Sequence, residues 1–311
     1  MTKVLVTGGA GFIGSNLAAV LLTRGETVRV LDNFSTGRRE NLEGLDKSGL
    51  EVVEGDLRDP CVVKDALRNI DLVFHEAAFV SAPLSLREPR TCYEINVRGT
   101  ENLLEAAQQA GVRRIVLASS AAIYGDSTQF PLDEESRLQP LSPYAASKAI
   151  NEISAGMYTR SFNLEVVALR YFNVYGPKQS LESEYAAAIP IFIRQLMDGK
   201  PITIYGDGEQ TRDLVFIEDV VQANLLAASS KKAAGEYFNV CSGQEISMLQ
   251  LVQILQEITG HRSDLRFEAA RPGDILRSTG RPDKARSLLG FLPKVALRAG
   301  LKRTLDWMYP G

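Results

Sequence analysis

Short apolar runs alternate with amphipathic stretches through the first half of the chain. The runs at 3–7, 27–32, 51–55, 71–75, 113–119 and 165–171 predict strands. Helical patterns fill the gaps, most clearly at 12–24, 92–110 and 144–160. Strands joined by helical crossovers imply a parallel sheet covered on both faces. The expected fold class is therefore α/β, a doubly wound parallel sheet of the Rossmann kind with a smaller α+β lobe. The rhythm loosens after about residue 176, where Pro177, Pro190, Pro201, Gly206 and Gly208 interrupt it. Helices are expected at 186–198, 218–229, 247–259, 282–289 and 296–308, with strands at 202–205, 237–240 and 265–267. Residues 1–176 would form a dinucleotide-binding domain and 177–311 mainly a substrate lobe, with part of 214–242 packing back on the first.

Composition narrows the class of partner. The 311 residues suffice for one large α/β domain or two smaller ones, and a 45% hydrophobic share supplies a normal core. A net charge of −3 gives no basic footprint for nucleic acid or an anionic membrane. Cys61, Cys92 and Cys241 are few, odd in number and far apart, as expected of reduced thiols in a cytoplasmic protein. With two histidines and no Cys/His cluster, no metal site is expected. Lys3–Thr7 opens directly as a strand, so no signal peptide is expected, and no apolar run reaches membrane-spanning length.

The first strand runs into Gly8-Gly9-Ala10-Gly11-Phe12-Ile13-Gly14. Glycines there permit a tight turn and close approach of a pyrophosphate to backbone N–H groups, beside the positive end of the following helix. The second strand ends at Asp32, whose carboxylate suits the adenosine ribose hydroxyls and repels a 2′-phosphate, which favours NAD over NADP. Arg38 and Arg39 are the counter-evidence and read as surface residues starting a helix. Asp56, ending the third strand, could reach the adenine amine, and small Ala77 and Ala78 follow the fourth strand where a cofactor backbone must pass.

Tyr144 and Lys148 lie four residues apart, on one face of a helix. A phenol with an ordinary pKa of about 10 is too weak a base at neutral pH, and an adjacent ammonium favours the phenolate. Ser120, at the end of the fifth strand, is placed to bond a substrate hydroxyl near Tyr144.

Together with Asp32-Asn33, Ser119-Ser120 and Arg170-Tyr171-Phe172-Asn173-Val174-Tyr175-Gly176-Pro177, these motifs resemble the extended short-chain dehydrogenase/reductases, and among them the UDP-hexose 4-epimerases. The resemblance covers essentially the whole chain. It implies an isomerase in which Tyr144 takes the sugar 4-hydroxyl proton, Ser120 orients that hydroxyl, and Lys148 lowers the Tyr144 pKa. The C4 hydride would pass to NAD and return to the other face of a 4-keto sugar. The cofactor would be held by Gly8, Gly11, Phe12, Ile13, Gly14, Asp32 and Asn33, by Ser35, Thr36 and Gly37, and by Asp56, Leu57, Ala77, Ala78, Phe79, Asn96, Ala118 and Tyr171, besides Tyr144 and Lys148. On the substrate side the resemblance points to Asn173 and Gln179, to Ala187 and Ala188, and to Ile204 and Tyr205 around uracil. Arg212 and Arg271 would clamp the diphosphate, Asp274 would accept from the uridine ribose, and Ser278 would face the sugar C2 substituent. The family pattern has an asparagine where this chain has Ala187. A small residue at 278 implies that N-acetylated sugars enter as well as plain hexoses. Related dehydratases and decarboxylases carry acidic residues just after the Ser120 position, where this chain has Ala121 and Ala122. A homodimer through helices near 92–110 and 146–160 is implied too. The alternatives are a UDP-glucuronate 4-epimerase, which would need a cation facing the C6 carboxylate, another sugar-nucleotide-modifying extended short-chain enzyme, and a non-catalytic NAD-binding sensor.

Overall fold

A computed structural model describes residues 2–180, 188–270 and 275–310. Seven parallel strands form the central sheet: β1 (Lys3–Thr7), β2 (Thr27–Asp32), β3 (Leu50–Glu54), β4 (Leu72–His75), β5 (Arg114–Ser120), β6 (Glu165–Tyr171) and β10 (Tyr237–Val240). Their spatial order is β3-β2-β1-β4-β5-β6-β10. The interior strands are apolar almost throughout because both faces are covered: Val4, Leu5, Val6, Ile115, Val116, Leu117, Val166, Val167 and Leu169 are all buried. The order reverses between β1 and β4, and a crevice opens at the carboxyl ends of those neighbours.

Between these strands, α1 (Phe12–Thr23), α2 (Pro60–Ala66), α3 (Ala82–Arg87), α4 (Pro89–Tyr93), α5 (Gly99–Gln109) and α6 (Pro143–Phe162) carry the chain back across the sheet. The helix expected over 92–110 is broken. Residues Glu94–Arg98 form a π-helical turn between α4 and α5, a geometry common at functional positions. The start of α6 is well specified. Ser142 Oγ accepts the Ala145 N–H at 3.2 Å and Pro143 takes the first helical position, where its missing N–H costs nothing. The helix stops at Asn163, which adopts a left-handed conformation at φ 55°.

The second lobe holds β7 (Asn173–Tyr175), α7 (Ala188–Met197), β8 (Ile202–Tyr205), β9 (Thr211–Phe216), α8 (Ile217–Ser229), β11 (Glu245–Ser247), α9 (Met248–Thr259), β12 (Leu265–Glu268), α10 (Asp283–Leu289) and α11 (Leu297–Met308). β9 lies between β7, to which it is parallel, and β11, to which it is antiparallel. β8 pairs with β12. The sequence pattern did not reveal β7, β9 or β11. Two are three residues long, and β9 mixes Thr211, Arg212 and Asp213 with apolar residues and so lacks a clean period of two. α9 starts on a capping box, with Ser247 and Gln250 exchanging side-chain and backbone bonds at 3.2 and 2.9 Å. β10 completes the large sheet beside β6, and α8 packs against α1, β5 and β6. Among the described residues, no helix is long and apolar enough to cross a membrane.

Candidate active site

The glycine turn is built for close approach. Gly8 has φ +66°, and a Cβ there would lie 2.7 Å from the backbone of Ala77. A Cβ on Gly14 would lie 2.3 Å from the Gly8 carbonyl oxygen, so α1 starts tight against the turn. No side chain caps α1, so its first N–H groups, among them those of Phe12 and Ile13, are left for an outside acceptor. Asp32 spans the same crevice. Its two carboxylate oxygens accept backbone N–H groups of Ala10 (2.9 Å) and Phe34 (2.8 Å), each keeping lone pairs for further donors. A Cβ on Gly37 would lie 2.8 Å from both oxygens. Glycine there is what leaves the carboxylate reachable, and this cradle fits a dinucleotide with an unmodified ribose.

The neighbouring residues are more committed. Asn33 Oδ1 accepts from the Ser35 N–H and hydroxyl at 3.0 and 2.7 Å, and its Nδ2 donates to Asp56 at 2.9 Å. Arg58 chelates Asp56 at 2.9 and 2.7 Å and holds its carboxyl well below the usual range. Asp56 thus has little left to offer an adenine amine. Arg39 pairs with Glu54 and stacks 4.0 Å over Phe34, in keeping with its reading as a surface residue. The Arg38 N–H donates to the Ala10 carbonyl.

Asn96, in the π-helical turn, clamps the loop after β4. It accepts the Phe79 N–H at 2.7 Å and donates to the Phe79 carbonyl at 3.1 Å and to Ser147 Oγ at 2.9 Å. That last bond joins the loop to α6 between Tyr144 and Lys148. His75 is buried beside it. Thr100 spends its hydroxyl proton on the Asn96 carbonyl (2.6 Å), so His75 Nε2–H donates to Thr100 (2.9 Å) and Nδ1 accepts from Thr7 (2.7 Å). Burial, with the Lys148 charge acting the same way, pulls the imidazole down to about 3, so it stays neutral.

Ser120, Tyr144 and Lys148 do come together. Ser120 acts on the Tyr144 phenol to lower its pKa, and the Lys148 ammonium lies 6.0 Å from the Tyr144 ring centre while donating to the Ala118 carbonyl at 2.8 Å. The expected lowering of the phenol is not seen. Burial pushes Tyr144 above its ordinary value, and the influence of Ser120 only partly offsets it. Burial likewise pulls Lys148 down to about 8, with Glu76 acting against it. Beneath the three, Ser119 donates to Glu152 (2.5 Å), and Glu152 forms a buried two-pronged pair with Arg170 at 2.9 and 2.7 Å. This ties β5, β6 and α6 together.

A cavity of about 590 Å³ runs from Ser120 into the second lobe. Ser120, Ala121, Ala122 and Ala145 line one end, beside Ala82, Pro83, Leu86 and Leu141. Ile204, Tyr205, Met248 and Leu251 line it further along, and Asn173, Ala188, Arg212 and Ser278 contribute too. Tyr144 is not in the lining, though its neighbours Ser142 and Ala145 are. Ser278 is held by backbone bonds with Thr211 and Asp213, on either side of Arg212. Gln179 lies apart, donating to the Val174 carbonyl at 3.1 Å. Ala187, Arg271 and Asp274 fall outside the described residues. Sequence reading missed Gln195 and Gln210, which line the cavity with buried carbonyl oxygens that have no partner among the described residues. Among the described lining residues there is no carboxylate.

A glycine-turn crevice at the strand-order reversal, an Asp-ended second strand and a Ser/Tyr/Lys cluster define a dinucleotide-dependent enzyme of the short-chain type. The family model "NAD dependent epimerase/dehydratase family" matches residues 4–241. The chain belongs to that family, whose cofactor is NAD. It is 38% identical over 308 residues to the UDP-glucose 4-epimerase of Mycolicibacterium smegmatis, covering 98% of each chain. The Thermus thermophilus UDP-glucose 4-epimerase, solved with NAD, superposes with a TM-score of 0.92 at 39% identity, over 99% of both chains. A UDP-N-acetylglucosamine 4-epimerase from Methanobrevibacter ruminantium gives a TM-score of 0.95 at 35% identity, over 99% of this chain and 98% of the other. UDP-sugar decarboxylases and a UDP-glucuronic acid 4-epimerase are also among its relatives.

Proposed function

We propose that the protein is an NAD-dependent 4-epimerase of UDP-hexoses, acting on UDP-glucose and UDP-galactose and also on their N-acetylated counterparts. The observation that carries this reading is the lack of a carboxylate among the described lining residues, beside the Ser120/Tyr144/Lys148 cluster. Elimination of water from a 4-keto sugar needs a base and an acid at further carbons. Ala121 and Ala122, in the cavity lining at the positions where the resemblance puts the acidic residues of dehydratases and decarboxylases, can supply neither.

The Gly8–Gly14 turn, the α1 N-terminus and Asp32 would hold the cofactor, with Ala77 and Ala78 flanking it. Bound NAD would supply a reversible two-electron acceptor at the sugar C4. Tyr144 removes the 4-hydroxyl proton and later returns it, while Ser120 orients that hydroxyl. Lys148 is the cation beside the phenolate. Asn173 and Arg212 bind the diphosphate, together with Arg271, and Ile204 and Tyr205 flank the base. Ser278 leaves space at the sugar C2 for an N-acetyl group.

A uronic acid fits less well. Arg212 is the one charged residue among the described lining residues, and Ala82, Pro83, Leu86 and Leu141 stand with Ser120 in the lining, so no described residue near Ser120 offers a cation to a C6 carboxylate. A homodimer is part of the proposal. Ile150, Ile153 and Met157 form an exposed apolar stripe on α6, with Ile153 69% exposed. Three unpaired cysteines support a cytoplasmic setting. Incubation with UDP-galactose, UDP-GalNAc and UDP-glucuronate, with the products resolved by chromatography, tests the reading. Turnover of the first two and not the third is expected, and no turnover of UDP-galactose rejects it.

A further inference from the structure

Glu76 has no part in the roles assigned above. It is the first residue beyond β4, at the crevice where the strand order reverses. Its Oε1 accepts the Tyr171 hydroxyl at 2.9 Å, and Asn224 on α8 donates to the same phenol oxygen at 2.8 Å. Asn224 is itself fixed to the Val220 carbonyl at 3.0 Å. The carboxyl is thus held by β6 and α8. β4 and β5 pair His75 with Leu117, so Glu76 follows the one and Ala118 the other, and the Ala118 carbonyl anchors the Lys148 ammonium at 2.8 Å. The two charges act on one another across that strand pair.

We propose that Glu76 is a positioning residue for charge: its carboxylate keeps Lys148 an ammonium, so that Tyr144 has a cation beside it. This rests on the reading of Lys148 given under Proposed function.

Burial alone works against that ammonium and pulls Lys148 down to about 8. The other groups facing it offer little. Cys92 on α4 is a thiol pushed up by burial, hence neutral at pH 7. Glu152, on α6 with Lys148, is committed to Arg170, with both side chains at most 6% exposed. His75 on β4 is neutral, and Tyr144 on α6 and Tyr171 on β6 are phenols raised by burial. Among the described residues facing Lys148, Glu76 is the carboxylate with no cation of its own. Burial pushes the Glu76 carboxyl up to about 7. Its charge is therefore present above neutrality, which is where Lys148 would otherwise shed its proton. A neutral amide at 76 could still accept the Tyr171 hydroxyl. Glu76→Gln thus removes the charge and keeps the hydrogen bond.

The test is a titration of the protein as purified, labelled with 13C at lysine Cε, over about pH 6 to 10. Lys148 is assigned by the resonance lost in Lys148→Arg. In Glu76→Gln the Lys148 midpoint should fall by about one unit, the scale of losing a nearby opposite charge in a buried site. Glu76→Asp, which keeps the charge, should fall between the two. In the parent protein the Lys148 signal should also show a small step where the Glu76 carboxyl titrates. An unchanged Lys148 midpoint in Glu76→Gln overturns the proposal, as does a parent Lys148 signal without that step. Since no turnover is involved, failure on every UDP-hexose would reject the epimerase reading and leave this pairing standing.

Discussion

The carboxylate of Asp32 accepts the backbone N–H of Ala10 at 2.9 Å, so the end of β2 holds the turn that follows β1. One residue thus shapes the glycine turn and, in the proposed reading, meets the cofactor ribose. Asp32→Ala should weaken NAD binding by more than a lost ribose contact would and relax discrimination against NADP. Equilibrium titration with both dinucleotides measures this. Gly37→Ala should act in the same direction, because its methyl would crowd both Asp32 oxygens. Tighter binding of NADP than NAD by the parent would refute the assignment.

Tyr144→Phe keeps the ring and removes the proton carrier. We expect kcat to fall by at least about 10²-fold, the usual scale for a general base, with NAD affinity unchanged. Ser120→Ala should also slow turnover and leave NAD binding intact. A Tyr144→Phe variant epimerising at near the parent rate would end this assignment.

Ser278 sits in the cavity wall between the backbone bonds that flank Arg212. Ser278→Tyr should abolish activity on UDP-GalNAc and spare UDP-galactose, because filling a pocket penalises the larger ligand selectively. Equal loss on both sugars would place Ser278 elsewhere than at the C2 substituent.

His75 is held neutral in the fold, near 3, against an ordinary value of about 6.5 in the unfolded chain. Below about pH 6.5 the unfolded chain takes up a proton that the folded state refuses. The stability that His75 contributes is therefore full above that pH and is lost progressively as the pH falls toward 3. Its imidazole 15N shifts should report a neutral Nε2–H ring throughout the folded range. Protonation of His75 near pH 6.5 in the folded protein would contradict the arrangement.

Breaking the Arg170–Glu152 pair should cost more than any surface ion pair in this chain. Glu152→Ala strands a guanidinium that is 2% exposed and should destabilise by roughly 3–5 kcal/mol in chemical denaturation. Glu257→Ala, which removes the exposed partner of Arg298, should leave stability nearly unchanged.

The crevice was legible in the sequence because its parts are local. A glycine turn, a carboxylate at a strand end and a four-residue Tyr–Lys spacing each sit within one short segment. Six strands of the large sheet followed from apolar runs with helical patterns between them; the seventh, Tyr237–Val240, was expected as a strand of the smaller lobe in a segment that packs back on the first domain. The rest depends on chain segments that meet only after folding. Glu76, Tyr171 and Asn224 come from β4, β6 and α8, and no one segment hints at their contact. Gln195 and Gln210 face the cavity from α7 and the turn before β9. The upward push on the Tyr144 phenol was not legible for a related reason: spacing shows the nearby ammonium, while burial is a property of the packed whole.

The pairing of Tyr237–Val240 with β6 has an evolutionary consequence. The chain leaves the large sheet, builds much of the cavity, and returns to lay down the last strand. A cut after Gly176 would strip β6 of its neighbour and leave a row of unpaired amides, an invitation to aggregate. Substrate preference here cannot be exchanged like a bead on a string. New specificities on this scaffold must arise by replacing side chains in the cavity wall, with the thread of the chain left uncut.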